Sequence, residues 1–222
     1  MHKFFLLLGL SVVLTTGFQN KASAESNELV RVNIEFLSAL IGPTKVNGNP
    51  WDSKAKINST AMGMISDMIA PGSGVAASTV AAAVAKNAPQ GISAPDVIGY
   101  VVQRGPTIRN LVNIAGIPMA LASNRTKTRD SYTPRFYADY QNWPMFPGTR
   151  FQVQLWDMDL ADNDQIAVVE ITYDEIMRAR DEGEPTWINV ADQSMNQLLY
   201  VLISVSPSIG NTPPKMNGYR WN

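Results

Sequence analysis

The chain predicts an all-β domain: an antiparallel two-sheet sandwich of seven or eight strands, with a helical insertion at about residues 59–88. Three observations carry that prediction. Short segments alternate apolar and polar residues with the period of two that half-buried strands require. Clusters of Gly, Pro, Asn and Asp, the residues that turns favour, separate them. One stretch rich in Ala, Met, Ser and Gly departs from both patterns and reads as helix.

The first 24 residues, MHKFFLLLGLSVVLTTGFQNKASA, read as an export signal. Lys3 supplies a basic start, and Phe4 to Leu14 is an apolar run too short to span a bilayer as a helix. Ala22-Ser23-Ala24 has the small-x-small form of a cleavage site. The expected product starts at Glu25, is secreted or periplasmic, and forms one domain over 25–222. No later segment has 18 consecutive apolar residues, so this product is expected to be soluble.

Loss of Lys3 and Lys21 leaves 16 basic against 19 acidic residues, a net charge of −3. Nucleic acid asks for a basic stripe instead, so it is not an expected partner. The single histidine, His2, leaves with the signal, and the chain has no cysteine. That excludes the common zinc sites, Ser-His-Asp chemistry and cysteine nucleophiles. Metal chemistry then falls to oxygen ligands, which suit calcium or magnesium.

Val30, Val32, Ile34 and Phe36 share one face of the first strand, with Arg31, Asn33 and Glu35 on the other. Val97 to Gln103 and Thr133 to Tyr140 are further strands. Phe151 to Leu155 alternates like the first, and Ile166 to Ile171 and Leu198 to Val205 are apolar runs of strand length. Turns are expected at Val46–Pro50, Gly105-Pro106, Asn142-Trp143-Pro144 and Phe146–Thr149. A short helix is expected over Tyr173 to Asp181. Val32, Ile34, Val153, Leu155, Val201 and Ile203 are the expected inter-sheet core.

Within the insertion, Ala61 to Ile69 and Val75 to Lys86 read as two helices hinged at Pro71-Gly72-Ser73-Gly74. Such a hairpin packs on the side of the sandwich, or it presents Met62, Met64, Met68 and Ile69 to lipid or a partner. Methionine suits either role.

The chemistry gathers in Leu155-Trp156-Asp157-Met158-Asp159-Leu160-Ala161-Asp162-Asn163-Asp164-Gln165-Ile166, where four carboxylates fall in eight positions between two strands. Crowded carboxylates repel one another. A dication relieves this, and calcium takes six to eight oxygens from flexible loops. Asp and Asn are also ordinary turn residues, so a solvated acidic turn is the competing reading. The segment lacks the central glycine and closing glutamate of an EF-hand.

This segment resembles the third calcium-binding loop of C2 domains, where a strand ends in aromatic-Asp-x-Asp, followed by a further Asp and an Ile-Gly-Glu-like strand. Thr126 to Phe136 is similar to that family's threonine-to-Asn-Pro-x-aromatic strand pair, and Phe151 to Trp156 to the strand entering the loop. Pro95-Asp96-Val97 is similar to its Asp-Pro-Tyr-Val step, with the first two residues inverted. Ala167 stands where the family has glycine. The resemblance spans about residues 28–205, interrupted by the insertion. It implies a calcium site built from Asp52, Asp96, Asp157 and Asp159, with either Asp162 or Asp164 completing the third loop.

The implied function is an exported calcium-binding module that docks on an anionic phospholipid surface or on an envelope or extracellular protein. A metal-free interaction module of the inhibitor kind is the alternative. A hydrolase using Asp157 and Asp159 as acid and base is the third reading. Such a pair needs two distinct environments, so the chain is expected not to be an enzyme. The first measurement follows from the cleavage motif: mass spectrometry of the exported protein finds Glu25 at the N-terminus, and an intact 1–24 segment overturns the compartment argument.

Overall fold

The computed structural model describes residues 29–51, 59–70, 73–87, 94–104, 126–128, 131–158, 163–210 and 212–218. Residues 1–24, which the sequence predicts to be an export signal, and Pro71-Gly72, Gly105-Pro106, Asp52, Asp159 and Asp162 lie outside the described residues.

Among the described residues nine strands form two antiparallel sheets. In chain order they are β1 (Val30–Ile41), β2 (Val97–Arg104), β3 (Thr126–Thr128), β4 (Arg135–Met145), β5 (Arg150–Met158), β6 (Asn163–Thr172), β7 (Thr186–Asn189), β8 (Leu198–Pro207) and β9 (Lys215–Gly218). The five-stranded sheet runs β7-β8-β1-β4-β9 and the four-stranded sheet β3-β2-β5-β6. The period-of-two reading does not find β3, β7 and β9, although β3 falls in the strand pair that the resemblance gives over Thr126 to Phe136. They are three, four and four residues long, too short for alternation to declare itself.

All six expected core residues are fully buried between the sheets. Phe36, Tyr140, Trp143 and Phe151 form the centre. Tyr140 lies 4.8 Å from Phe151 and 5.0 Å from Trp143, edge to face, the arrangement that aromatic quadrupoles favour. The Tyr140 hydroxyl donates to the Val101 carbonyl at 2.9 Å, so a strand of one sheet is hydrogen-bonded to a strand of the other.

Asn142-Trp143-Pro144 is not a turn. It continues β4, paired with Val32 and Arg31 of β1, and the turn features are absorbed by a bulge. Asn142 takes φ 51° there, a conformation that Asn tolerates better than most residues. Its amide N–H donates to Asn33 Oδ1, and its side chain is bonded to Thr212 and Ser208. Pro144 lies beyond the stretch that β9 pairs, so β4 is an edge on one flank where proline is tolerated. The turns at 46–50 and 146–149 stand as expected, with Gly48 and Gly148 at φ 78° and 86°.

Among the described residues three α-helices decorate the sheets: α1 (Ser59–Ile69), α2 (Ala77–Asn87) and α3 (Tyr173–Glu182). Helix α3 begins with a capping box between Thr172 and Glu175 and ends on Gly183 at φ 72°. It buries Ile176 and Ala179 in the inter-sheet core. Helices α1 and α2 build a second, smaller core on the outer face of the five-stranded sheet. Ile65, Ile69, Val80 and Val84 pack there with Leu40, Leu199 and Tyr200. Ile69 is therefore a core residue and not a lipid contact, because the sheet's own outward apolar residues occupy its face of the hairpin. Met64 is exposed and Met68 partly buried, while the Met62 side chain lies outside the described residues.

Leu155 is fully buried at the centre of β5. Leu155→Ala is expected to cost about 2–5 kcal/mol in urea unfolding. A loss below about 1 kcal/mol contradicts this packing.

Candidate functional site

Backbone hydrogen bonds draw four connections to one end of the sandwich. The Gly42 N–H donates to the Gln197 carbonyl at 2.8 Å, which joins the segment after β1 to the β7–β8 connection. Ser131 donates to the Pro95 carbonyl, and Ile41 to that of Tyr132. The β5–β6 connection joins them through a side chain. In β5 the inward alternation Phe151, Val153, Leu155 continues to Asp157, which is wholly buried. Its Oδ1 accepts the Asp96 backbone N–H at 2.8 Å.

Asp157 thus sits where the core stops and the acidic segment starts. A carboxylate taken fully out of water needs hydrogen bonds or a cation. Its backbone pairs with Val97 on one side and Asp164 on the other. That register brings Asp96, Asp157 and Asp164 onto three adjoining strand ends, far apart though they are in sequence. Asp164 is exposed, and Lys45 Nζ meets its Oδ2 at 2.5 Å. The four-stranded sheet carries a register shift between Leu155 and Trp156, beside Ile166, so both Ile166 and Ala167 enter the core.

Three features at this pole carried no sequence signal. Lys45 stands in the turn after β1, and its ammonium lies 5.7 Å from the centroid of the buried Trp51 ring. Gln197 staples the pole: its side-chain amide donates to the Ile166 carbonyl, and its Oε1 accepts the Val46 N–H. Val46 and Met195, on the two connections so joined, are 58% and 72% exposed. A lone lysine, a lone glutamine and two isolated apolar residues have no pattern to read; only the folded loops bring them together.

The donor chemistry of the pole suits a hard cation, since carboxylate and carbonyl oxygens are what calcium and magnesium take. Asp157 and Asp164 are the carboxylates described there, with Asp96 held against Asp157. Among the described residues no three acidic side chains converge, and the remaining candidates Asp52, Asp159 and Asp162 lie outside them. No described helix is long and apolar enough to cross a membrane.

No protein-family model matches the chain, and no curated protein matches it. Solved structures similar to it include C2 domains. The two tandem C2 domains of extended synaptotagmin 2 align with 12% identity and a TM-score of 0.41, covering 92% of this chain and 49% of that one. The chain therefore spans about half the length of that structure. A C2 domain protein from Ramazzottius varieornatus aligns with 12% identity and a TM-score of 0.41, covering 87% and 98%. A single C2 domain of plant extended synaptotagmin 1 aligns with 8% identity and a TM-score of 0.33, covering 82% and 97%. The likeness is one of fold, and the sandwich itself is established by the two sheets.

A Cβ at Gly42 would overlap the Asn196 carbonyl oxygen. Gly42→Ala is therefore expected to push the β7–β8 connection off the pole and destabilise the fold by roughly 1–3 kcal/mol. An unchanged thermal melt shows that the connection yields freely.

Proposed function

We propose that the chain is an exported C2-like module that binds calcium at this pole and docks there on an anionic phospholipid surface. The observation that carries the reading is Asp157: a buried carboxylate at the end of the core, tied to Asp96 and paired in register with Asp164. Asp157 and Asp159 would ligate the ion, with either Asp162 or Asp164 from the same loop and Asp52 and Asp96 from the connection before β2. Bound calcium would supply positive charge where the acidic loop otherwise repels anionic headgroups. Val46 and Met195 supply exposed apolar surface beside it, and such surface gains about 25 cal/mol per Å² on leaving water. No catalytic role is assigned to any residue.

The metal-free interaction module is the second reading, and the Lys45–Asp164 pair favours it, because an ammonium already faces one of the carboxylates. A calcium titration followed by thermal melting separates the two. A ligand that binds only the folded state raises the melting temperature. Affinity on the order of 10⁻⁴ to 10⁻³ M is expected, as for extracellular calcium modules. Asp157→Asn combined with Asp159→Asn should remove the shift. Val46→Asp with Met195→Asp should keep the shift and lose co-sedimentation with phosphatidylserine vesicles. A melting curve unmoved by millimolar calcium leaves the metal-free reading standing. A calcium response without vesicle binding points to a protein partner.

A further inference from the structure

We propose that the outer edge of β6 is a pairing surface for a second copy of this chain, and that Gln193 and Gln197 hold it closed. The proposal stands apart from the calcium reading.

A sheet edge presents a row of backbone N–H and C=O groups to any other strand, and folds blunt their edges by keeping such strands short. Among the described residues, three of the four end strands follow that rule. β3, β7 and β9 close their sheets with three, four and four residues. β6, the remaining end strand, has ten. Its stretch Ile166 to Ile171 holds four β-branched apolar residues, the composition that pairs most readily with another strand.

Side chains take the place of a neighbouring strand along this edge. The Gln193 carboxamide makes both of the bonds that a paired residue makes. Its Oε1 accepts the Glu170 N–H at 2.7 Å, and its Nε2 donates to the Glu170 carbonyl at 3.0 Å. Further up the strand, Gln197 Nε2 donates to the Ile166 carbonyl at 2.8 Å. At the other end, Glu175 Oε2 accepts the Thr172 N–H at 2.8 Å. These backbone groups all point away from β5. Val168 lies between Ile166 and Glu170, and the alternation of an antiparallel ladder turns its N–H and C=O to the same side.

An exposed glutamine on a loose loop gains little from such bonds, because water competes for them. These two project from an ordered platform, a single 3₁₀ turn over Ala191–Ser194 and the residues after it. The buried Ser194 hydroxyl donates to the Leu198 carbonyl at 2.6 Å and accepts the Leu198 N–H at 2.9 Å. The Gly42 N–H holds the Gln197 carbonyl from the other side. The amides thus reach β6 on a backbone that is already fixed.

The occupant that the edge fits is β6 of a second copy. An antiparallel copy centred on Val168 sets Val168 against Val168, Glu170 against Ile166 and Asp164 against Thr172. No two carboxylates then stand opposite each other, an arrangement that would oppose pairing. Such a contact is self-complementary about a two-fold axis, the commonest symmetry of protein dimers. With the glutamines in place, an incoming strand must displace both before it reaches Ile166 and Glu170.

The test is sedimentation equilibrium of the purified protein and three variants. Gln193→Ala with Gln197→Ala is expected to self-associate at least about tenfold more tightly than wild type, the equivalent of one or two net hydrogen bonds. Adding Val168→Pro should return the double variant to wild-type behaviour, since proline removes an outward N–H and is tolerated on an edge. Gln152→Ala with Gln154→Ala removes two glutamines that bond each other on the outer face of the same sheet, and should stay within about twofold of wild type.

Unchanged association of the Gln193–Gln197 variant overturns the proposal. So does a gain that Val168→Pro fails to reverse, because the copies then meet elsewhere, and so does an equal gain in the Gln152–Gln154 variant. A second measurement needs only the wild-type protein. By amide hydrogen exchange, the Glu170 N–H should be protected at least about tenfold more than the Val168 N–H, since a bonded amide exchanges only when its bond opens. Equal protection shows that Gln193 does not hold the edge, and the proposal falls.

Discussion

Four aromatic rings and one hydroxyl join the two sheets. Phe36 and Tyr140 come from the five-stranded sheet and Phe151 from the four-stranded one, and their centroids lie 4.8 to 6.1 Å apart. Trp143 packs on Tyr140 beside them. Tyr140 then reaches across to the Val101 carbonyl. With no cysteine in the chain, no disulfide is available to share this task. The sandwich depends on burying these rings and on satisfying the hydroxyl that Tyr140 carries inward. The strand ends inherit their spacing from that contact, and the acidic pole exists because β2, β5 and β6 end together.

The helical hairpin shows the same logic on the outside. The outer face of the five-stranded sheet is apolar near Leu40, Leu199 and Tyr200. An antiparallel sheet can leave one face in water only if that face is polar. Here α1 and α2 cover it, and burial raises the Tyr200 phenol above its ordinary pKa by desolvation. Trp187 packs edge to face on Tyr200 at 6.3 Å and completes the patch. The methionines of α1 look from their spacing like a docking face, yet the face with Ile65 and Ile69 is consumed by the sheet. In the proposed reading, docking falls instead to Val46 and Met195, at the tips of loops.

At the pole, charge and rigidity are coupled. Asp157 is buried because its strand alternates it inward, and the Asp96 N–H meets it there. Asp164 is exposed because β6 begins at the rim. The one is held by the fold, while the other is answered by Lys45 on a turn braced by Trp51 and Gln197. The pole thus has a fixed inner carboxylate and an outer one paired with a lysine.

Sequence alone determined the strands long enough to alternate, the core on β1, β5 and β8, the three helices and the acidic segment between β5 and β6. These are local signals: a period of two, a run of small residues, carboxylates crowded into one loop. Strands of four residues, such as β7 and β9, carry too few alternations to be seen. Asn142-Trp143-Pro144 has turn chemistry, but Trp143 gains more from the core than the chain gains from turning, so a bulge resolves the conflict. Tertiary structure decided which face of the hairpin is buried, that Asp157 points inward, and that Lys45 meets Asp164 across 119 residues of chain. No local pattern encodes an encounter of that range, because it depends on where two sheets, packed through their rings, bring the ends of their strands.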